Sequence, residues 1–306
     1  MMELQAHDPA HPPELLRTIF LNPRGLRAGW RLAIFVPLVI VIVVLFSLPI
    51  VLKFGSPSPG ASPGVMLALE MASFLAVAAA NWIMGRIEGR SMSEYGLPLR
   101  NASALSRFAV GYILWGFLPL SLLLLALRGL GAFYFGGTVM HGIAILHWAA
   151  LWGLVFLFVG LFEEYAIRGY ALYTLADGIG YWPAAIILAA LFARLHAGNP
   201  GESRLGIIMT GAFALFASIT LRRTGSLWLA VGAHAGWDWG QSFFYGVADS
   251  GLQVKGHLLN PRIEGPEWLS GGTVGPEGSA LVLVLMVMMS VLVVVLYREP
   301  TDQKTA

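Results

Sequence analysis

Charged residues are scarce in this chain of 306 amino acids: only 12% are Asp, Glu, Lys or Arg, while 57% are hydrophobic. Soluble domains carry about 25% charged residues, because a surface in contact with water needs them. A chain with half that share has too little polar surface to cover a water-soluble body of this size. The composition therefore predicts an integral membrane protein, and it excludes a disordered chain, a nucleic-acid-binding protein and a cytosolic enzyme.

Cysteine is absent from the sequence. Its absence excludes disulfides, iron–sulfur clusters, zinc sites with Cys ligands and a cysteine nucleophile. It leaves the redox compartment of the protein undecided.

Long apolar runs follow a polar, Pro-rich segment of about 30 residues. A spanning helix needs about 20 mostly apolar residues, and eight runs approach or exceed that length. We therefore expect an all-α polytopic membrane protein with about eight transmembrane helices. The predicted spans are 31–54, 65–87, 106–130, 142–165, 182–197, 205–222, 226–246 and 279–297, the fourth continuing as helix to about residue 176.

An even number of spans places both termini on one side of the membrane. If that side is the cytoplasmic side, thirteen of the 19 Lys and Arg residues fall in segments at the cytoplasmic side. Cytoplasmic loops are enriched in these residues, so we expect a multi-pass cell-membrane protein with cytoplasmic termini. The predicted segments are a polar N-terminal stretch (1–30), N-terminal transmembrane helices (31–141), a core (142–246), a Gly/Pro-rich loop (247–278) and a last helix with its tail (279–306).

Glu163, Glu164 and Arg168 come directly after an apolar run. An ionisable group inside a bilayer costs several kcal/mol unless it is paired or hydrated, so such residues are informative. On a helix, Glu164 and Arg168 are four residues apart and can pair. Glu163 points about 100° away from Glu164, so it is left free to face a cavity. The alternative is a helix end at the membrane surface, with both carboxylates in the headgroup region.

Two further polar groups lie in later spans. His196 ends one apolar run and is followed by Asn199, while His234 and Asp238 are four residues apart in another. Counted at 1.5 Å per residue, these groups and Glu163 lie about 14–21 Å from the predicted inner helix ends. We therefore predict that they meet in one buried polar cavity. Taken singly, each could instead be a hydrogen-bonded packing residue.

A carboxylate beside imidazoles can activate water for amide hydrolysis without a covalent intermediate. Other designs of membrane protease are missing from the sequence. It has no H-E-x-x-H zinc helix, no G-x-S-G segment for a serine nucleophile and no G-x-G-D segment for an aspartyl pair. The predicted catalytic residues are Glu163, His196, His234 and Asp238, with Glu164, Arg168 and Asn199 in support.

The order E-E-x-x-x-R, F-x-x-x-H and H-x-x-x-N/D on successive apolar segments resembles the CAAX-protease and bacteriocin-processing (CPBP, or Abi) family of intramembrane proteases. The matching residues are Glu163, Glu164 and Arg168, then Phe192 and His196, then His234 and Asp238.

The resemblance implies a role for each of these residues. Glu163 and His196 would activate water, while Glu164 and Arg168 would hold their helix in place. His234 and residue 238 would stabilise the oxyanion. The last position is often Asn in the prenyl proteases of the family, and an ionised Asp238 would instead repel an oxyanion. It could be protonated, could orient a charged His234, or could help bind a metal.

The resemblance also implies a membrane-associated protein or peptide substrate. Prenyl proteases of the family receive their substrate from the cytosol, whereas the predicted orientation places this cavity towards the outer leaflet. No cofactor is expected, although Glu163, His196, His234 and Asp238 include the ligand types for a divalent ion. Two alternatives remain: a non-catalytic immunity or scaffold protein, and a transporter or lipid-binding protein with a charged cavity.

Overall fold

The computed structural model describes residues 19–23, 25–55, 62–98, 102–199 and 201–299. Most of these residues are helical, which confirms the all-α prediction. The helices are α1 (Ala28–Phe54), α2 (Pro63–Glu88), α3 (Ala104–Gly129), α4 (Ile143–Arg168), α5 (Tyr170–Ile179), α6 (Tyr181–His196), α7 (Arg204–Thr224), α8 (Trp228–Trp239, extended by a π-helical turn at Gly240–Phe244) and α9 (Leu281–Leu296).

Each predicted span coincides with a helix, and the boundaries agree to within three residues. Among the described residues, five helical segments are long and apolar enough to cross a membrane by themselves, and α6 and α9 are shorter apolar helices. A multi-pass membrane protein is therefore supported by the structure. The five long segments are Ala28–Phe54, Pro63–Glu88, Ala104–Gly129, Ile143–Ile179 and Arg204–Thr224.

The fourth span is predicted to continue as helix to about residue 176, but the helix is interrupted at Gly169, which separates α4 from α5. A Cβ at this position would lie 2.3 Å from the carbonyl oxygen of Tyr165, so only glycine fits the break. The buried Asn81 of α2 accepts a hydrogen bond from the free backbone N–H of Tyr170, at 2.8 Å. This side chain satisfies a donor that the start of α5 leaves without a helical partner.

The prolines inside α1 and the proline inside α3 affect their helices differently. Pro37 and Pro49 lie inside the uninterrupted α1. In α3 the turns just before Pro119 widen into a π-helix at Gly111–Phe117. Proline has no N–H and its ring collides with the carbonyl one turn earlier, and a wider turn is one way to accommodate it.

Helix α8 packs against α3 through facing glycines. A Cβ on Gly232 would lie 2.2 Å from the carbonyl oxygen of Phe108, and a Cβ on Gly236 would lie 2.1 Å from that of Tyr112. On the α3 side, a Cβ on Gly116 would lie 2.3 Å from the carbonyl oxygen of Ala233. Small residues let membrane helices approach to backbone contact, and these glycines fix the position of the helix that carries His234 and Asp238.

One end of the helix bundle is held together by ion pairs. Arg31 contacts both Glu88 and Asp177 at 3.0 Å, which joins the start of α1 to the ends of α2 and α5. The Arg223 Nε atom lies 3.8 Å from Glu299, beyond the end of α9. These residues belong to segments that the sequence predicts on the cytoplasmic side.

The opposite end carries the longest connections. Strand β3 (Phe133–Tyr134) pairs in antiparallel register with β4 (Arg262–Ile263), and Thr273 donates a hydrogen bond to the Gly201 carbonyl at 2.8 Å. A further hairpin, β1 (Leu21–Asn22) with β2 (Gly25–Leu26), precedes α1 and so lies next to the helix start that carries Arg31, at the ion-paired end. Apart from β4 and two short helical turns, at Glu267–Ser270 and Pro276–Gly278, the 247–278 segment is irregular, and hydrogen bonds fasten it to its neighbours.

The glycine contacts predict that Gly236→Ala destabilises the protein. The new methyl group would force α8 away from α3, and overpacking of this kind costs about 1–3 kcal/mol or more. We expect a lower thermal unfolding temperature in detergent. Gly153→Ala is the matched control, because its Cβ would meet only the Trp239 ring at 3.8 Å. Equal melting temperatures of the two variants would contradict the packing role of Gly236.

Candidate active site

A buried ionic network joins α4 to α8. Glu164 and Arg168 are almost fully buried, and the Arg168 Nη1 atom lies 3.3 Å from Glu164 Oε1. The same carboxylate oxygen lies 2.9 Å from His234 Nδ1. The Arg168 guanidinium also lies 4.8 Å from the centre of the Phe192 ring on α6. Arg168 and Glu164 thus connect the three helices that carry the predicted catalytic residues.

Glu163 lies on a different side of α4 from Glu164 and lines a cavity, as its position on the helix predicts. Its Oε2 atom lies 3.8 Å from His196 Nε2 and 3.6 Å from His234 Nε2. Both separations exceed the length of a direct hydrogen bond. Glu163 is therefore placed between two imidazoles without being bonded to either of them.

The contacts of His196 define its tautomer. Its Nδ1 atom lies 2.9 Å from the carbonyl oxygen of Phe192. Because a carbonyl oxygen only accepts, Nδ1 carries the proton and donates it. In the neutral ring, Nε2 is then an unprotonated acceptor that faces the Glu163 carboxylate.

His234 is held in a different way. Its Nδ1 donates to the Glu164 carboxylate, so Nε2 is turned towards the cavity, where it lies 3.6 Å from Glu163 and 3.5 Å from Asp238 Oδ2. The Phe213 ring packs edge-on against the imidazole, with centroids 5.0 Å apart. The orientation of the ring is thus fixed from both sides.

Most of the predicted site residues line one cavity of about 450 Å³. Glu163, His196, His234 and Asp238 line it, as does Asn199, whereas Glu164 and Arg168 are buried behind it. Much of the remaining wall is apolar, from Phe156, Phe162 and Phe192 among others. The structure therefore brings the predicted residues together, and their catalytic roles remain predictions.

Three acidic residues that the sequence analysis did not select also line the cavity: Glu70, Asp249 and Glu277. Glu70 is the only acidic residue between the ends of α2 as described, and an ionisable residue inside a span is itself a signal of function. Asp249 and Glu277 lie beside the Gly/Pro-rich segment and carry no pattern of their own. Only the fold brings them to the cavity.

Asp249 and Glu277 lie outside the spanning helices, in the connection after α8. Burial raises the pKa of Glu277 to about 8, and repulsion from Asp249 adds to the rise. Burial also raises the pKa of Asp249, with a further contribution from Asp238. Each has a neutral donor: Ser242 Oγ lies 3.0 Å from Asp249, and the Ser250 N–H lies 2.5 Å from Glu277. Both carboxyl groups therefore keep a proton more readily than a solvent-exposed carboxyl does.

The carboxylates and imidazoles include the donor types of a divalent-metal site. Within the described part of the chain, however, no group of three or more His, Asp or Glu side chains is arranged to hold a metal ion. The Glu163 Oε2 atom lies 3.6–3.8 Å from the Nε2 atoms of the two imidazoles.

The fold and this cavity define a helical membrane protein with a buried Glu–His site. Residues 145–240 match the family described as type II CAAX prenyl endopeptidase Rce1-like, which confirms the predicted resemblance. The match implies peptidase activity at the level of the family, and with it a membrane-embedded peptide substrate. None of the curated proteins matches the chain.

The matched segment contains all seven predicted site residues. Glu70, Asp249 and Glu277 lie outside it. The family match therefore covers the cavity-lining groups of α4, α6 and α8. The cavity wall built by α2 and by the connection after α8 lies outside the matched segment.

The buried network predicts that Arg168→Met destabilises the fold. Removing the guanidinium leaves Glu164 buried with only His234 as a partner, and breaking a buried ion pair from one side costs about 3–5 kcal/mol. Thermal unfolding in detergent measures the loss. Arg194→Met is the matched control, because Arg194 is exposed at the end of α6. The network has no structural role if both variants melt at the wild-type temperature.

Proposed function

We propose that the chain is an intramembrane endopeptidase of CAAX-protease type, which hydrolyses a peptide bond with water activated by Glu163 and His196. The observation that carries the proposal is the pair of acceptors, Glu163 Oε2 and His196 Nε2, which face each other at 3.8 Å in the cavity. The family match over residues 145–240 supports the same reaction class.

Two acceptors at this separation suit a bridging water. A carboxylate and an unprotonated imidazole nitrogen cannot bond to each other, but one water can donate a hydrogen to each. The water oxygen then keeps its lone pairs for attack on a carbonyl carbon. Glu163 takes the proton as the C–O bond forms, and His196 holds the water in position.

His234 and Asp238 suit the stabilisation of the negative charge that develops on the carbonyl oxygen. Three carboxylates, Glu163, Glu164 and Asp238, lie within 3.6 Å of the His234 nitrogens. These carboxylates can compensate the charge of a doubly protonated imidazole. The Nε2–H of such a ring is a charged donor inside the cavity, where donors of this kind stabilise an oxyanion most effectively. Asp238 thus acts through His234, as a positioning residue.

Collapse of the tetrahedral intermediate completes the reaction. Protonated Glu163 returns its proton to the leaving nitrogen, the C–N bond breaks, and the products are a carboxylic acid and an amine. The net change is the addition of one water across the amide bond. No covalent enzyme intermediate and no redox step are needed, so the residues in the cavity are sufficient for the chemistry.

The proposal predicts that Glu163→Gln and His196→Ala each reduce cleavage at least a hundredfold, in line with the contribution of a general base. The measurement is turnover of a panel of quenched fluorescent peptides, with and without a prenylated cysteine, in detergent or proteoliposomes. Melting temperatures should stay close to wild type, because neither side chain belongs to the Glu164–Arg168 network.

The same variants separate a peptidase from a scaffold or immunity protein. If the polar groups only brace the helices, both substitutions lower the melting temperature and leave any protective phenotype intact. Full cleavage activity in either variant would contradict the roles proposed for Glu163 and His196.

We propose that the activation of water in this cavity needs no metal ion. We therefore expect cleavage to persist after dialysis against EDTA and to gain less than twofold from added Zn²⁺, Mn²⁺ or Mg²⁺. Loss of activity on chelation, with recovery on adding one of these ions back, would instead favour a divalent-metal peptidase built on the same residues.

We also propose cytoplasmic termini, on the basis of charge. The Arg-rich segments include 86–107 and 222–223. Their ends lie at the end of the helix bundle where Arg31 pairs with Glu88 and Asp177, which we call the ion-paired face. There, Arg107 donates to the Thr224 carbonyl at 3.2 Å, and Arg90 lies 3.4 Å from Asp177. An excess of Lys and Arg is typical of the cytoplasmic side.

A further inference from the structure

Glu70 is a carboxyl group inside a spanning helix that the proposed mechanism does not use. It lies within α2 and lines the cavity. Among the described residues it has no hydrogen-bond or ion-pair partner. An ionisable group inside a span is costly without a partner, so a partner for Glu70 is expected to enter the cavity with the substrate.

The position of Glu70 on α2 directs it towards α4, the helix that carries Glu163. Residues four apart share one face of a helix, and both Met66 and Glu70 line the cavity. One turn further along the same face, the ring of Phe74 lies 6.0 Å from that of Phe158 on α4. The Glu70 carboxyl therefore belongs to the part of the cavity wall where α2 packs against α4.

Two contacts between these helices give the distance from Glu70 to Glu163. Phe74 lies beside Phe158, and Asn81 accepts a hydrogen bond from the start of α5, so α2 and α4 run in the same direction. Counted from these contacts at 1.5 Å per residue, Glu70 lies about 6–14 Å from Glu163 along the helices. An extended peptide advances about 3.3 Å per residue, so this separation corresponds to about two to four residues of a substrate.

The charges around the cavity are unbalanced. Five carboxyl groups line it, whereas no Lys or Arg among the described residues does so. The imidazoles of His196 and His234 line it too, but the proposed mechanism already assigns them to water and to the oxyanion. The charged group that acts on Glu70 is Glu163, which repels it. A positive group of the substrate would compensate the charge of Glu70.

We infer that Glu70 is a specificity-determining residue of the proposed peptidase, and that it binds a Lys or Arg side chain about two to four residues from the scissile bond. The inference rests on the proposed function and names the charge of its substrate. A carboxylate forms strong, charge-assisted hydrogen bonds with ammonium and guanidinium groups. Glu70 lies outside the matched segment 145–240, so this preference does not follow from the family match.

The apolar wall beside Glu70 suits the stem of such a side chain. Met66 of α2 lines the cavity together with Phe156 and Val159 of α4. Lys and Arg side chains bury their methylene groups along apolar surface while the charged end keeps a polar partner. Here the stem would lie against these three side chains, and the charged end would reach the Glu70 carboxylate.

Turnover of matched peptides tests the inference. Quenched fluorescent peptides are made identical except at one position, which carries Lys, norleucine or Glu. Norleucine keeps the length of the lysine stem without its charge. The position is moved along both sides of the scissile bond, which is located by mass spectrometry of the products. At one position we expect wild-type protein to favour Lys over norleucine about tenfold or more in kcat/KM, and to cleave the Glu peptide least.

Glu70→Gln should abolish most of this preference, because the amide keeps the shape of the carboxyl group but not its charge. Glu70→Asp keeps the charge on a shorter side chain and should still favour Lys. Glu267→Gln is the matched control, since Glu267 is exposed and does not line the cavity; it should keep the wild-type ratio. The ratio of two peptides within one variant does not depend on the amount of folded protein.

Two results would overturn the inference. The first is the absence of a Lys preference in the wild type at every position, or an equal preference in wild type and Glu70→Gln. The second is an equal loss of turnover with all three peptides in Glu70→Gln, because such a loss would indicate a role in the reaction step and not in substrate choice.

Binding separates this inference from the proposed function. In Glu163→Gln, fluorescence anisotropy should give a Kd for the Lys peptide about tenfold or more below that of the norleucine peptide, and adding Glu70→Gln should make the two values equal. Full cleavage by Glu163→Gln, with a Lys preference that still depends on Glu70, would overturn the proposed activation of water and leave the role of Glu70 in place. An inactive Glu163→Gln that binds both peptides equally would retain the peptidase and overturn the role of Glu70.

Discussion

The Glu164–Arg168–His234 network is the interaction on which the site depends. A carboxylate buried in a membrane protein needs compensating positive charge and hydrogen bonds. Glu164 obtains both by accepting from Arg168 at 3.3 Å and from His234 at 2.9 Å. Because Glu164 bonds to His234 across the helix boundary, the helix that carries Glu163 and the helix that carries His234 are held in one relative position.

Close helix packing makes that network possible. Gly232 and Gly236 on α8 allow backbone contact with α3, and they lie on either side of His234 in the sequence. The break at Gly169 ends α4 directly after Arg168, and Asn81 satisfies the backbone there. Backbone constraints at glycine and a few buried hydrogen bonds thus determine where the ionisable side chains point, and the cavity chemistry follows from those directions.

Much of this arrangement follows from the sequence in physical terms. Apolar runs of membrane-spanning length predict the helices, and the i, i+4 spacing of Glu164 with Arg168 predicts their pairing while leaving Glu163 free. Helical rise alone places His196 and Asp238 at a similar depth. The sequence does not reveal the break at Gly169, the π-helical turns before Pro119 or the approach of Asp249 and Glu277, because each depends on contacts between segments distant in the chain.

The central claim is that Glu163 and His196 hold one water between them. A high-resolution structure in lipid tests it most directly, by showing what occupies the space between the two side chains. We predict an ordered water within about 3.2 Å of both Glu163 Oε2 and His196 Nε2. A direct bond between the two side chains, or a Glu163 carboxylate turned out towards lipid headgroups, would contradict the account.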